Sequence, residues 1–141
     1  MVLPMVAGCT RSGSDHTDPG QVTTPAAAAT HGPLFPQCGG ISDQTMAELT
    51  RVSGLVNTAQ NSVGCQWLVG GGIQGPHFSF SWYRGSPIGR ERKTEELTRT
   101  RVDDITIDGH PGFLAVGTVP MLGDALCEIG IQFDDDFIEW S

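Results

Sequence analysis

The chain of 141 residues carries 8 Lys and Arg against 16 Asp and Glu, a formal net charge of −8 and a pI near 4.7. Charged residues make up 17% and aromatic residues 7%, with 19 Gly and 9 Pro, a balance that suits one modest domain and argues against a wholly disordered chain. Net negative charge without a basic tract disfavours nucleic acid as a partner, and no run of about 18 apolar residues is present to span a membrane.

Met1 to Gly8 are apolar or small and run directly into Cys9. Val6-Ala7-Gly8-Cys9 resembles a bacterial lipobox, in which a branched apolar residue, a small residue and Gly precede the cysteine that receives lipid. Residues 1–8 therefore read as the remnant of a lipoprotein signal peptide whose start lies upstream, and Cys9 as the lipidation site. Residues 10–34, rich in Thr, Ser, Pro, Ala and Gly and without hydrophobic periodicity, read as a flexible tether. Such a tether spans roughly 25–30 Å root mean square. The alternative is an ordinary Cys9 in a cytosolic protein with reduced cysteines. On the lipobox reading, residues 9–34 form the attachment site and tether and residues 35–141 a small folded domain, anchored by lipid to the outer face of the cytoplasmic membrane.

Within the domain, Ile41-Ser42-Asp43-Gln44-Thr45-Met46 carries helix-start signals. Ser42 can cap the free N–H groups, Asp43 suits the positive end of the dipole, and Ile41 and Met46 can staple the entry. Met46, Leu49 and Val52 then share a face, and Gly54 is the expected stop. Cys65, Trp67 and Val69 alternate, as do Phe78, Phe80 and Trp82, which predicts two half-buried strands. Between them Gly70-Gly71-Gly72-Ile73-Gln74-Gly75 matches a dinucleotide fingerprint by letter. It leads through Pro76 into a strand pattern rather than a helix, so it reads as a hairpin loop.

Arg90 to Val102 is helix-compatible and holds five of the eight basic residues, with Arg92/Glu96 and Glu95/Arg99 spaced to pair. Only Leu97 and Val102 are apolar, so this helix should lie lightly on a surface. Its basic face could meet anionic lipid or a partner, or pair internally. Strand patterns follow at Ile105–Ile107, Phe113–Val119, Cys127–Phe133 and Phe137–Trp140, with Asp134-Asp135-Asp136 as a solvated turn. The whole predicts an α+β domain, an antiparallel sheet of about five to six strands packed with two helices.

Chemistry-bearing patterns are sparse. His16, His31, His77 and His110 are scattered, and neither HExxH nor G-x-S-x-G occurs, so no enzyme is predicted. The Asp134–Asp136 run lacks an EF-hand's spacing, and no metal or cofactor is implied. Trp67, Phe78, Phe80 and Trp82 could line a ligand pocket or simply fill the core. Without a catalytic pattern, the expected role is a binding or accessory module whose partner is an envelope protein or small ligand; an accessory subunit of a transporter and a hydrolase are the alternatives.

Val6-Ala7-Gly8-Cys9, Phe35-Pro36-Gln37-Cys38, Gly64-Cys65-Gln66-Trp67, the long run from His77 to Leu97, Ala125-Leu126-Cys127 and Gly130 to Ser141 stand in an order that resembles a family of actinobacterial cell-envelope lipoproteins of unknown function. The resemblance covers His31 to Trp140. It implies no catalytic residues, and it implies a further terminal helix beyond Ser141, opened by Pro-Cys, without which one sheet face would be bare. With Cys9 lipidated, Cys38, Cys65 and Cys127 remain for an exported domain. A helix folding back between Cys38 and Cys65 favours their pairing, with Cys127 left over; a Cys65–Cys127 bridge across strands is the competing arrangement.

Overall fold

Ser42 opens the first helix as its chemistry dictates, its hydroxyl accepting a hydrogen bond from the Thr45 N–H at 3.1 Å. The structure, a computed structural model, describes residues 27–141. Helix α1 (Asp43–Thr50) ends four residues before the expected glycine because Arg51 takes the left-handed conformation at φ 57°. Gly54, at φ +75°, instead turns the chain into a strand while its carbonyl accepts the Gly70 N–H at 2.7 Å. Met46 is buried, whereas Leu49 points to solvent at 69% exposure, so the predicted three-residue apolar face shrinks.

Seven strands follow, not five or six: β1 (Leu55–Gln60), β2 (Gly64–Val69), β3 (His77–Tyr83), β4 (Arg101–Ile107), β5 (His110–Val119), β6 (Gly123–Phe133) and β7 (Asp136–Trp140). They form one antiparallel sheet in the order β1-β2-β3-β7-β6-β5-β4. The strand absent from the prediction is β1, a polar edge strand whose register shifts between Asn57 and Ala59. Helix α2 (Ile88–Thr98) lies between β3 and β4, and Val102, expected in the helix, belongs to β4. Gly70 to Pro76 forms the loop between β2 and β3, as expected.

Register assigns the two faces. Cys65, Trp67, Phe78, Phe80, Ile138, Trp140, Ile129 and Ile131 share one, and Tyr83, Phe137, Glu139, Glu128, Phe113 and Ala115 the other. On the first face, α1 and a 3-10 turn at Gln37–Gly40 cover β1 to β3, burying Cys38, Met46, Cys65, Trp67 and Phe80. Trp140 stacks beside Trp67 at 5.9 Å and against Phe80 at 4.9 Å. On the second face, α2 covers β4 to β6 above buried Phe113 and Ala115. Gly130 seats the Phe113 ring there, since a Cβ at Gly130 would stand 2.5 Å from it. Each half of the sheet thus has its own helix, on opposite faces.

Candidate functional site

The end of the sheet where β6 turns into β7 takes up the segment that leads into the domain. Thr30 N–H donates to Asp135 Oδ2 at 2.6 Å, His31 bridges Asp134 in antiparallel fashion, and His31 Nδ1 donates to Asp136 Oδ1 at 2.8 Å. Gly85 N–H donates to the same oxygen at 2.8 Å, and Arg84 Nε stands 3.5 Å from Oδ2. Burial pushes the Asp136 carboxyl up, yet the bonds from His31 and Gly85 and the nearby Arg84 charge outweigh it and hold it below the ordinary range. Asp136 is fully buried, which corrects the reading of all three aspartates as a solvated turn. Only its tertiary partners explain that. The chain is fastened to the domain from Thr30, and Phe35 wedges between Trp82 and Phe133 at 5.7 and 5.0 Å.

The opposite end of the sheet carries the β2–β3 and β5–β6 loops. A cavity of about 500 Å³ at this end is lined by Phe78, Leu122, Leu126, Cys127, Glu128 and Ser141, among others. Exposed apolar side chains rim this end, Ile73 in the β2–β3 loop and Met121 and Leu122 in the β5–β6 loop. Cys127 is a free, exposed thiol. A second groove of about 440 Å³, lined by Ile107, Ile129, Ile131 and Trp140 among others, lies over β4 to β7 on the face that α2 does not cover.

Glu128 links the cavity to a cluster under α2. Arg99 donates to both Glu128 oxygens at 2.6 and 2.8 Å, and its Nε stands 2.9 Å from Glu95 Oε2. Burial, reinforced by Glu128, pushes the Glu95 carboxyl up to about 7 against the pull of Arg99. Glu139 rises to about 7 through burial and the charges of Glu91 and Glu128. Burial raises Glu128 too, but hydrogen bonds from Arg99 and Glu95 prevail and lower it. Among the described residues no group of three or more His, Cys, Asp and Glu side chains gathers to hold a metal ion.

The expected site residues fall as follows. Cys9 lies outside the described residues. Cys38 and Cys65 form a disulfide, S–S 2.03 Å, joining the 3-10 turn to β2. Trp67 and Phe80 are packed in the core with Trp67 Nε1 donating to Asp43 Oδ1 at 2.7 Å; Trp82 lies under Arg84 at 5.0 Å; Phe78 alone of the four reaches the cavity of about 500 Å³. Of the basic residues expected on this helix, Arg92 pairs with Glu96 and with Asp104 of β4, and Arg99 with Glu95 and with Glu128 of β6, while Arg90 and Lys93 have no carboxylate partner among the described residues. Sequence reading did not single out Glu95, Glu128, Glu139 or Asp136 as buried. The one signal available was a helix so poor in apolar residues that something else had to hold it.

Comparison with known proteins fits this picture. A protein named "Putative lipoprotein LprB" from Mycobacterium tuberculosis (strain CDC 1551 / Oshkosh) is 71% identical over 141 residues, covering 99% of this chain and 76% of the relative. Its namesake from Mycobacterium leprae (strain TN) is 70% identical over 142 residues, covering 100% of this chain and 76% of the relative. No solved structure matches. The family described as "Protein of unknown function (DUF3558)" matches residues 4–141, and the chain belongs to that family.

Proposed function

We propose that the protein is a lipid-anchored envelope module, acylated at Cys9 on the outer side of the cytoplasmic membrane, that binds or assists a partner and performs no chemistry of its own. The observation that carries this reading is the polarity of the domain. The segment that leads into the domain joins at the β6–β7 turn, and the exposed apolar side chains of Ile73, Met121 and Leu122 lie at the other end. Strand β6 alone, at about 3.4 Å per residue, separates the two by roughly 35 Å. A domain so mounted holds its binding end away from the lipid surface. The lipoprotein name of the relatives and the Val6-Ala7-Gly8-Cys9 motif support the anchor. Two acyl chains or more give stable residence. The groove over Ile107, Ile129, Ile131 and Trp140 is apolar and suits the terminal helix that the family resemblance implies.

The test is expression with a complete signal sequence in a mycobacterial host. Acyl label should enter the wild type and not Cys9→Ser, which should leave the membrane fraction. A photo-crosslinker at Met121 should capture a defined envelope component, and one at Asp134 beside the tether should not. Equal capture at both ends, or at neither, overturns the polarity; an unlabelled, soluble wild type overturns the anchor.

A further inference from the structure

We propose that α2 is a pH-gated strap, a helix fastened across β4 to β6 by a cluster of carboxylates around one guanidinium, closed in mildly acidic to neutral solution and released as the solution turns alkaline. This inference is independent of the lipid anchor.

The geometry begins with what α2 lacks. Of its eleven residues only Glu95 is buried, at 6% exposure, and Leu97, the apolar residue of its last turn, is 88% exposed. Ile88, at the helix start beside Phe113 and Gln132, is its one apolar foothold. An ordinary surface helix is held by an apolar stripe. This one is held by charge.

The charged groups acting on Glu95 are Glu91 on α2, Arg99 just past its end and Glu128 on β6. Glu139 on β7 and Tyr83 on β3 join the cluster through Glu91 and Glu128. Arg92, Glu96 and Asp104 form a separate ion group toward β4. Arg99 is the one cation of the cluster and is already held by both Glu128 oxygens. With every carboxylate ionised, four negative groups would share one guanidinium at the seam between helix and sheet, and repulsion would act directly on the docking.

Protonated Glu95 removes that excess and donates a hydrogen bond to Glu128, which Arg99 neutralises. The sign follows. Glu95 and Glu139 bind protons more tightly in the docked state, about 7 against an ordinary 4.5, so their contribution to docking is complete below about 4.5 and lost as pH rises through about 7. Glu128, lowered, contributes in the other direction: its share is present above its ordinary value and lost as pH falls through the depressed one. Docking is therefore strongest between these limits. When α2 lifts, the sheet surface at Phe113 and Ala115, both fully buried beneath it, opens to solvent.

Hydrogen exchange of the described domain within the full chain, read by mass spectrometry and corrected for the intrinsic pH dependence of exchange, tests this. Peptides from α2 should lose protection by about tenfold between about pH 6 and about pH 8.5, with α1 peptides unchanged. Glu95→Gln should keep α2 protected at both values, and Glu139→Gln should move the transition to higher pH by removing one source of repulsion. Equal wild-type α2 protection at the two pH values overturns the proposal, as does a Glu95→Gln protein with an undiminished transition. The wild-type series decides alone if a variant does not fold.

Discussion

The two halves of the sheet are closed by different physics. Over β1 to β3, α1 and the 3-10 turn are held by a disulfide and by aromatic rings that exclude water. Over β4 to β6, α2 is held by Arg99 between Glu95 and Glu128, with one apolar side chain at its start. Apolar burial and a covalent link are indifferent to salt and to pH between 5 and 8, whereas an ion cluster at a partly wetted seam responds to both. One small domain thus contains a rigid half and a conditional half.

The rigid half should suffer most from substitution. Trp67→Ala removes a fully buried indole and its hydrogen bond to Asp43, and should cost about 3–5 kcal/mol in urea unfolding at neutral pH. Replacing Cys38 and Cys65 together by Ala releases a loop spanning 27 positions and should cost about 3–4 kcal/mol in the chain-entropy account. Losses below about 1 kcal/mol in both would show that the halves are not held so differently. Asp136→Asn, at the joint between them, should cost about 2–3 kcal/mol through weakened bonds to His31, Gly85 and Arg84. Because the folded Asp136 carboxyl is depressed, its contribution is present above about pH 4 and lost as pH falls further, so wild type and variant should converge in acid. A gap that persists to about pH 2 would assign the loss to packing instead.

The conditional half should respond more to solvent than to truncation. Raising ionic strength from about 0.05 to about 0.5 M should speed exchange in α2 peptides a few-fold while leaving α1 peptides unchanged. The smallest expected effect is Leu97→Ser, within about 0.5 kcal/mol of wild type, because the leucine is almost fully exposed. A cost above about 2 kcal/mol there would mean that α2 is held by apolar contact after all.

Much of the fold was legible where local rules suffice. The Ser42 cap, the alternation through Cys65–Val69 and Phe78–Trp82 and the rejected glycine fingerprint all depend on neighbours in sequence. Strand β1 escaped because Leu55–Gln60 is half polar and borrows its conformation from β2. Val102 was misplaced because the helix signal of its charged neighbours continues past Thr98, where the chain has already turned toward β5. The site was less legible. Asp136 differs from Asp134 and Asp135 through His31, 105 residues away, and through Gly85 and Arg84, and Glu95 is raised by burial against the sheet and by Glu128 from a distant strand. Spacing along a helix revealed that Glu95 and Arg99 could pair; it did not reveal that the sheet would press a third charge against them.

Strand β7 follows β6 in sequence yet lies between β3 and β6 in the sheet, and this has a consequence for the order of events in folding. The strands β1 to β3 and β4 to β6 can each zip as neighbouring hairpins as soon as they exist. Neither meander can join the other until β7 arrives, and until then β3 and β6 both present raw edges of the kind that recruit foreign strands. Folding of the whole domain therefore waits on five residues, Asp136 to Trp140. The same five carry the buried aspartate that binds His31 and the indole that completes the aromatic core, so a single late docking event closes the sheet, seals one core and fixes the segment that leads into the domain.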